Sequence, residues 1–341
     1  MVNIFATVLT YAAPSANYRG ESELNRAIVQ KVTDGRFEYP IISPEAMRNA
    51  LREILAGYGL PANRTRLNDE DQLAVQFADY PWPDRYADDF LFGYLVADRK
   101  QVPAEVVKAR GFQYKRDSAL RMNLAKGLAP YRHDTLLTQS PLTIKNPSAP
   151  WQNATSSALL HRETVVTAFQ YPFALNVADF GLDDGRPPVD GVTAPGGGTY
   201  PTRGKQRADW LRHLLRGISE LNGVAGNHAR SYFEMAPASV VVRVTDSLVA
   251  GHDLYAFTPE GKLPEVVSGI LHGETAEQAD FPGGEFILGG KIVREGLDEA
   301  TQAALRARGV ALHRTSQAAL DDVARRTTGG GFVGPRANGA A

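Results

Sequence analysis

The 341-residue sequence contains no cysteine, which excludes disulfide bonds, thiolate nucleophiles and metal sites with sulfur ligands. Its seven histidines are scattered, without the His-Glu-x-x-His spacing of zinc hydrolases. No apolar stretch approaches the length of a membrane span, and the apolar N-terminus has no basic residues before it, so we expect no signal peptide and no membrane contact. These absences predict a protein without metal or cofactor, and the lack of cysteine is compatible with a reducing cytoplasm.

The sequence also lacks an excess of charge of either sign. Its formal net charge is −1, whereas proteins that bind nucleic acid usually carry a basic excess. The charges are nevertheless separated along the chain, because residues 68–98 carry eight acids and one base whereas residues 99–132 carry nine bases and two acids. Such blocks are typical of a bipolar surface for head-to-tail stacking, of a basic groove, or of two solvated faces of one helical region.

One amphipathic helix stands out just after residue 43. Ser43 is a good N-cap and Pro44 suits the first helical position, where its missing N–H costs nothing. Apolar residues then follow at three- and four-residue spacing, which predicts one buried face ending near residues 57–59. The opposite face carries Arg48 and Arg52, four residues apart, which repel each other unless an anion lies between them. They are either an anion-binding pair or a solvated surface with Glu45.

Several loops pair small or amide residues with cations, a combination that suits phosphate binding. They include Asn17 with Arg19, and Asn227 with His228 and Arg230. Residues 201–216 add a further basic run, from which we select the candidates Arg203, Lys205 and Arg207. The alternative is that these are turn residues with solvated arginines. Asn63-Arg64-Thr65 matches only a glycosylation pattern, which has no meaning without secretion.

The pattern of apolar residues predicts an α+β fold. We expect strands at residues 3–11, 163–180, 238–245 and 285–293, with a strand-like segment at 254–257. Helices are expected at residues 23–32 (short) and 44–58, then after residue 206 as far as residue 221, and at residues 297–308 and 316–326. Residues 60–164 are polar and interrupted by proline, which indicates an insertion that is helical in part. The core order is that of a ferredoxin-like, RNA-recognition-motif domain.

Motifs for known catalytic chemistry are incomplete. The segment at residues 283–292 resembles a phosphate-binding loop, but its first glycine is misplaced and Ile292 stands where a magnesium-binding Ser or Thr is required. A histidine-based ribonuclease stays open as an alternative, since His133, His161 or His228 lies beside an arginine in the sequence.

Three stretches together resemble one known family. Residues 9–23 (LTYAAPSANYRGESE), 34–55 (DGRFEYPIISPEAMRNALREIL) and 221–243 (LNGVAGNHARSYFEMAPASVVVR) are similar to the DevR branch of the CRISPR-associated Cas-seven proteins. These proteins are backbone subunits of type I Cascade effectors, chiefly in type I-B systems. The resemblance covers most of residues 3–250.

The resemblance implies a hand-shaped, cytoplasmic, prokaryotic protein. Residues 1–59 and 165–326 would form an RNA-recognition-motif palm, residues 60–164 a helical finger insertion, residues 181–206 a thumb, and residues 327–341 a flexible tail. Ser43, Arg48 and Arg52 match the family pattern in which basic residues of the first palm helix grip RNA phosphates. The loops at Asn17–Arg19 and at residues 227–230 would line the same groove.

The resemblance also implies partners and a non-catalytic role. Copies of the chain would polymerise along the crRNA spacer and present it to the target DNA strand, beside the Cas-five, Cas-six and large subunits. Related type III subunits cut RNA with an aspartate after the first strand. This chain offers Glu21 and Glu23 there but no aspartate between residues 11 and 33, so we expect no nuclease activity. The alternatives are a metal-independent endoribonuclease that processes pre-crRNA, and a developmental regulator acting on DNA.

Overall fold

A computed structural model describes residues 2–15, 18–23, 26–68, 73–141, 157–224 and 234–332. Side chains are not described for residues 18–23, 26, 27, 66–68, 73–75, 136, 138–141 and 157–160. Within this part of the chain the helices are α1 Pro44–Gly57, α2 Ala87–Phe92, α3 Ala104–Arg110, α4 Arg203–Ser219, α5 Pro264–Leu271, α6 Glu299–Ala307 and α7 Ser316–Thr328. None of these helices is long and apolar enough to cross a membrane.

The strands of the described residues are β1 Asn3–Thr10, β2 Ala13–Ser15, β3 Tyr18–Glu23, β4 Arg26–Val29, β5 Lys31–Asp34, β6 Phe37–Ile42, β7 Arg64–Asn68, β8 Leu73–Phe77, β9 Tyr94–Leu95, β10 Lys115–Arg116, β11 Arg121–Met122, β12 Ala125–Gly127, β13 Thr135–Pro141, β14 Ser157–Glu163, β15 Val165–Thr167, β16 Phe169–Asn176, β17 Pro237–Thr245, β18 Phe286–Gly290 and β19 Ala311–His313.

A central mixed sheet organises the molecule, in the order β19-β18-β17-β1-β16-β12-β6-β5, with β11 also paired to β16. Strand β1 is antiparallel to both β16 and β17, and β12 is antiparallel to β16. Strand β19 pairs in parallel with β18. Smaller sheets join β13-β14-β4-β3, β15-β2, β9-β10 and β7-β8. The chain is therefore α+β with one dominant sheet, as the sequence predicts.

Each face of the central sheet packs on its own hydrophobic core. Ile4, Ala6 and Val8 of β1 point to the first core, which contains the apolar faces of α1, α4 and α7. The alternate residue Leu9 points to the second core, formed with Val241, Leu288 and residues of α5 and α6. Because strand side chains alternate between faces, the sheet is the middle layer of three.

Most of the predicted long elements are confirmed. The strand predicted at residues 3–11 is β1, and the turn at Asp34–Gly35 joins β5 to β6, with Gly35 at φ 61°. Helix α1 begins at Pro44 and ends at Gly57, and helices α4, α6 and α7 lie at their predicted places. These elements carry complete local signals of capping and periodicity, so they are readable without their neighbours.

Two expectations about secondary structure are wrong. The described residues of the interval 23–32 lie in strands, apart from Gln30, instead of a short helix, because β4 pairs with β3 and β14 and β5 pairs with β6. Residues 254–257 form no strand, since the backbone of Phe257 bonds to the side-chain amide of Gln170, at 3.1 Å for both bonds. The interval 60–164 is helical in part, as expected, but its described residues also form eight strands, and two of these strands, β11 and β12, pair in the central sheet.

The glycine- and proline-rich segment before α4 does not project freely at its base. Thr193 and Thr199 form an isolated bridge, and Val192 is buried. The hydroxyl of Tyr200 donates to Asp209 Oδ2 of α4 at 2.7 Å. Residues 203–206 already belong to the first turn of α4.

Candidate nucleic-acid interface

Helix α1 carries two arginines, of which Arg52 lines a small cavity. The Ser43 hydroxyl accepts a hydrogen bond from the Ala46 N–H at 3.2 Å, so it caps the helix as predicted. Met47 and Leu51 belong to the buried face, whereas Arg48 and Arg52 are only partly buried. The sequence-predicted pair therefore lies on the side of α1 away from the first core.

Arg52 is held in place by its neighbours but forms no ion pair within the described part of the chain. Its guanidinium lies 4.7 Å from the centre of the Phe92 ring, and its Nη1 donates to Asn49 Oδ1 at 2.6 Å. Burial and the nearby positive charge of Arg64 lower the pKa of Arg52 to about 10. The Nε atoms of Arg48 and Arg52 are buried and have no hydrogen-bond partner within the described part of the chain. An anion at this place would supply acceptors and relieve the repulsion between arginines.

Arg64, the first residue of β7, joins this pair at the end of the loop that follows α1. Its Nη2 donates to the Gly93 carbonyl at 2.9 Å, and its guanidinium lies 4.9 Å from the centre of the Phe77 ring. Arg52 and Arg64 line a cavity of about 150 Å³, together with Asn49, Glu53, Ala56, Ala62 and Thr65. Sequence reasoning missed Arg64, although Asn63-Arg64 repeats the amide–arginine pairing that selected Asn17–Arg19 and Asn227–Arg230.

Two buried aspartates of α2 fix the loop that carries Arg64. The carboxylate of Asp88 accepts from the backbone N–H groups of Asn63 and Arg64 at 2.8 and 2.9 Å. Asp89 Oδ2 accepts from Asn63 Nδ2 at 2.8 Å and from the Trp82 N–H at 2.9 Å. Burial raises the pKa of Asp89 to about 6, and its Oδ1 has no hydrogen-bond partner among the described residues. Both carboxylates are thus used to hold the loop, and the arginine side chains keep their positive charge.

The basic residues at the start of α4 have a different environment. Arg203 and Arg207 both form ion pairs with Asp84, at 3.0 and 2.7 Å, and their side chains are 19% and 15% exposed. Arg203 also donates to the Pro187 carbonyl, and Arg207 to the Phe180 carbonyl. Lys205 is exposed on the surface. Of these three candidates, two are therefore bound within the fold, and their contact with RNA stays a prediction.

The structure does not describe the side chains of the other predicted site residues. Asn17, Asn227, His228 and Arg230 are not among the described residues, and only the backbone of Arg19 is described, in β3. Of the histidines considered for a ribonuclease, His133 and His161 are exposed. The structure therefore brings together Arg48 and Arg52 with Arg64, and leaves the two predicted loops untested.

Comparison with known proteins identifies the family. The CRISPR-associated protein Cas7/Cst2/DevR of Myxococcus xanthus (strain DK1622) is 30% identical over 303 residues, which cover 87% of this chain and 88% of that protein. The chain belongs to the Cas7/Cst2/DevR family. The resemblance read from the three sequence stretches is confirmed. No protein-family model matches the chain.

Solved structures with the same fold agree with this Cas7/Cst2/DevR membership. A chain of a CRISPR RNA-guided surveillance complex superposes with a TM-score of 0.55 at 13% identity, covering 95% of this chain and 99% of its own. A chain of such a complex in a pre-nicking state gives 0.56 at 12% identity, covering 95% and 100%. At these identities the likeness establishes the fold, and it extends over nearly the whole chain.

Proposed function

We propose that this chain is a non-catalytic backbone subunit of a CRISPR Cascade effector that binds the phosphates of its crRNA. One observation carries the proposal: Arg52 of α1 and Arg64 of β7 line one cavity, Arg48 lies close enough to Arg52 to lower its pKa, and the buried Nε atoms of Arg48 and Arg52 lack acceptors in the described residues. The planar guanidinium group matches a phosphate with two parallel hydrogen bonds, which a solvated lysine does not provide.

Phosphate contact suits a protein that holds a guide of variable sequence. Sequence is read by pairing of guide and target, so the protein needs only the shape and charge of the backbone. The formal net charge of −1 is compatible with this task when cations are gathered at one place, as they are around α1. Ser43 would act there through the helix N-terminus, whose free N–H groups favour an anion.

The topology supports an RNA-recognition-motif palm. In chain order β1, α1, β12, β16, α4 and β17 follow the pattern βαββαβ, and the strands lie in the order β17-β1-β16-β12. Both are features of the ferredoxin-like arrangement. In that arrangement the sheet face without helices is free, but here α5, α6 and the second core cover it at β1, β17 and β18. This cover favours phosphate contacts from α1 over base stacking at the centre of the sheet.

The partners follow from this assignment. Copies of the chain would stack along the spacer, with the target DNA strand and the other Cascade subunits as further partners, including the Cas-five, Cas-six and large subunits. Residues 181–206 would serve as the thumb between copies. Replacing residues 194–198 by two glycines should leave Tyr200 and the α4 cap intact, so the monomer should fold but assemble poorly on RNA. Normal assembly would exclude the thumb assignment.

The direct test is purification with the native partners, followed by extraction of bound nucleic acid. We expect a spacer-length RNA that co-elutes with several copies of the chain, and its loss in the Arg48→Ala/Arg52→Ala/Arg64→Ala variant. RNA bound equally by wild type and variant would refute the site. The non-catalytic role is tested by incubation with Mg²⁺ and guide-complementary RNA, where cleavage that disappears in Glu21→Ala would contradict it.

A further inference from the structure

The sheet has an uncovered end on the face opposite α1. Lys126 of β12 lies directly opposite Gln170 of β16 on one side and Ile41 of β6 on the other, so these three side chains share a face. Tyr39 and Phe37 follow at two-residue steps along β6 and point to that face as well. This is the face of Leu9 and Val241, which the second core covers farther along the sheet.

The cover stops before it reaches β6. The loop after β17 ends its contact with the sheet where Phe257 bonds to Gln170 and where the Tyr255 hydroxyl donates to the Leu124 carbonyl at 2.8 Å. Beyond this line Phe37 is 47% exposed, and the Lys126 side chain is 25% exposed. Strand β5 is the last strand of the sheet on this side, so the surface is open at its edge.

Each aromatic ring on this surface is paired with a cation. Lys126 Nζ lies 4.4 Å from the centre of the Tyr39 ring, and the Arg36 guanidinium lies 5.4 Å from the centre of the Phe37 ring. Asp34 pairs with Lys126, which leaves Arg36 as the uncompensated charge of the group. We define Phe37, Tyr39, Arg36 and Lys126 as the aromatic platform.

We propose that the aromatic platform is a second nucleic-acid site, which stacks unpaired bases of a single strand. Exposed aromatic rings that alternate with cations suit a single strand, because every base has a π-face and the cations reach the adjacent phosphates. A protein partner would need an apolar counterpart, and here each ring lies beside a cation. The inference rests on the proposed function in taking single-stranded nucleic acid as the ligand.

The platform and the α1 arginines differ in what they recognise. Arg48 and Arg52 lie on a helix packed against the first core, on the other face of the sheet. Their contacts would depend on phosphates and on salt, whereas stacking on Phe37 would depend on the bases. This difference allows the two sites to be tested separately in the intact protein.

The test compares an RNA oligoadenylate, the matching DNA and an abasic ribose-phosphate chain of equal length, each measured by fluorescence anisotropy. We expect the wild type to bind the RNA more tightly than the abasic chain. Phe37→Leu should weaken RNA binding about 5- to 100-fold and leave abasic binding unchanged, whereas Phe37→Tyr should keep the wild-type affinity. A 2-aminopurine base in the RNA should be quenched by the wild type and by Phe37→Tyr, but much less by Phe37→Leu.

Controls separate the failure of each proposal. Leu248→Ala, at an apolar residue that is 77% exposed in the loop after β17, should change nothing. Equal binding of RNA and abasic chain by the wild type, with normal salt dependence, would overturn the platform and leave the proposed function standing. Binding of neither chain would contradict the proposed function itself. If Phe37→Leu and Phe37→Tyr both reduce self-association at unchanged RNA affinity, the platform is a protein interface and the inference is wrong.

Discussion

Helices α1 and α4 each begin with a hydroxyl cap and carry two arginines four residues apart, yet they use them in different ways. Arg203 and Arg207 both pair with Asp84, so their guanidinium groups are held within the fold. Within the described residues Arg48 and Arg52 form no ion pair, although Asp88 and Asp89 act on Arg52 from a distance, and the Nε atoms of both arginines lack acceptors there. Arginine spacing alone therefore does not identify a phosphate site; ion pairing within the fold separates the two helices.

The largest expected effect comes from removing the shared carboxylate. Asp84→Ala leaves two partly buried guanidinium groups without their counter-charge, so we expect the free energy of unfolding to fall by about 2–3 kcal/mol. Urea denaturation measures this loss. The control Asp190→Ala removes an exposed carboxylate from the segment before α4 and should change stability by less than about 0.5 kcal/mol. Equal stability of the two variants would show that Asp84 does not hold α4.

Substitution of the two arginine pairs should affect the salt dependence of RNA binding differently. Arg48→Ala/Arg52→Ala should flatten the log–log salt dependence of RNA affinity by about 1.4, at about 0.7 per phosphate contact with a single strand. Arg203→Ala/Arg207→Ala should instead lower stability and leave the slope unchanged, because Asp84 and backbone carbonyls already hold both guanidinium groups within the fold. Arg48→Lys/Arg52→Lys is the matched control and should keep the slope. The opposite outcome would place the phosphate contacts at α4.

The contrast between the two arginine pairs also shows which features of the structure can be predicted from the sequence. Helix α1, its Ser43 cap and the position of its arginines on the polar face are predictable from local signals, because capping and periodicity involve residues within a few positions. The pairing of Arg203 and Arg207 with Asp84 joins positions more than a hundred residues apart. No local pattern distinguishes such a bound arginine from a free one, so the sequence predicts both as candidates.

The errors in the fold have the same physical origin. Strand β12 has three residues and lies between β16 and β6 only because both neighbours offer free backbone groups. The sequence of residues 23–32 predicts a short helix. The strands formed there pair with β3, β6 and β14, and the local sequence contains no signal for this pairing. Strand formation depends on distant partners, whereas helices close their hydrogen bonds locally.

The buried carboxyl group of Asp89, near α1, should make the stability of the protein depend on pH, with a smaller effect. The pKa of Asp89 is raised to about 6, above its ordinary value of 3.8, so the folded chain retains a proton that the unfolded chain releases between about pH 4 and 6. Stability should therefore fall as the pH rises through this window. Asp89→Asn should remove this dependence and add about 1 kcal/mol at pH 7.5, since its amide oxygen still accepts from Asn63 and Trp82.

Asp88→Asn is the matched control for that substitution. Asp88 accepts backbone N–H groups through both carboxylate oxygens, so an amide nitrogen would face one of these donors. We expect a loss of about 1–2 kcal/mol at all pH values. Thermal unfolding between pH 4.5 and 7.5 distinguishes the two variants. If Asp89→Asn retains the wild-type pH dependence, another group is responsible for it.

The smallest effects test the two helix caps. Ser43 Oγ and Thr202 Oγ1 each accept an N–H of the first turn at 3.2 Å, so Ser43→Ala and Thr202→Ala should each cost about 1 kcal/mol. Aspartate also caps helices, so Ser43→Asp and Thr202→Asp should keep the stability. Ser43→Asp, however, places a negative charge where we expect RNA phosphates, and it should weaken RNA binding, whereas Thr202→Asp should not. Equal weakening by both would mean that the repulsion is general and that α1 is not the binding surface.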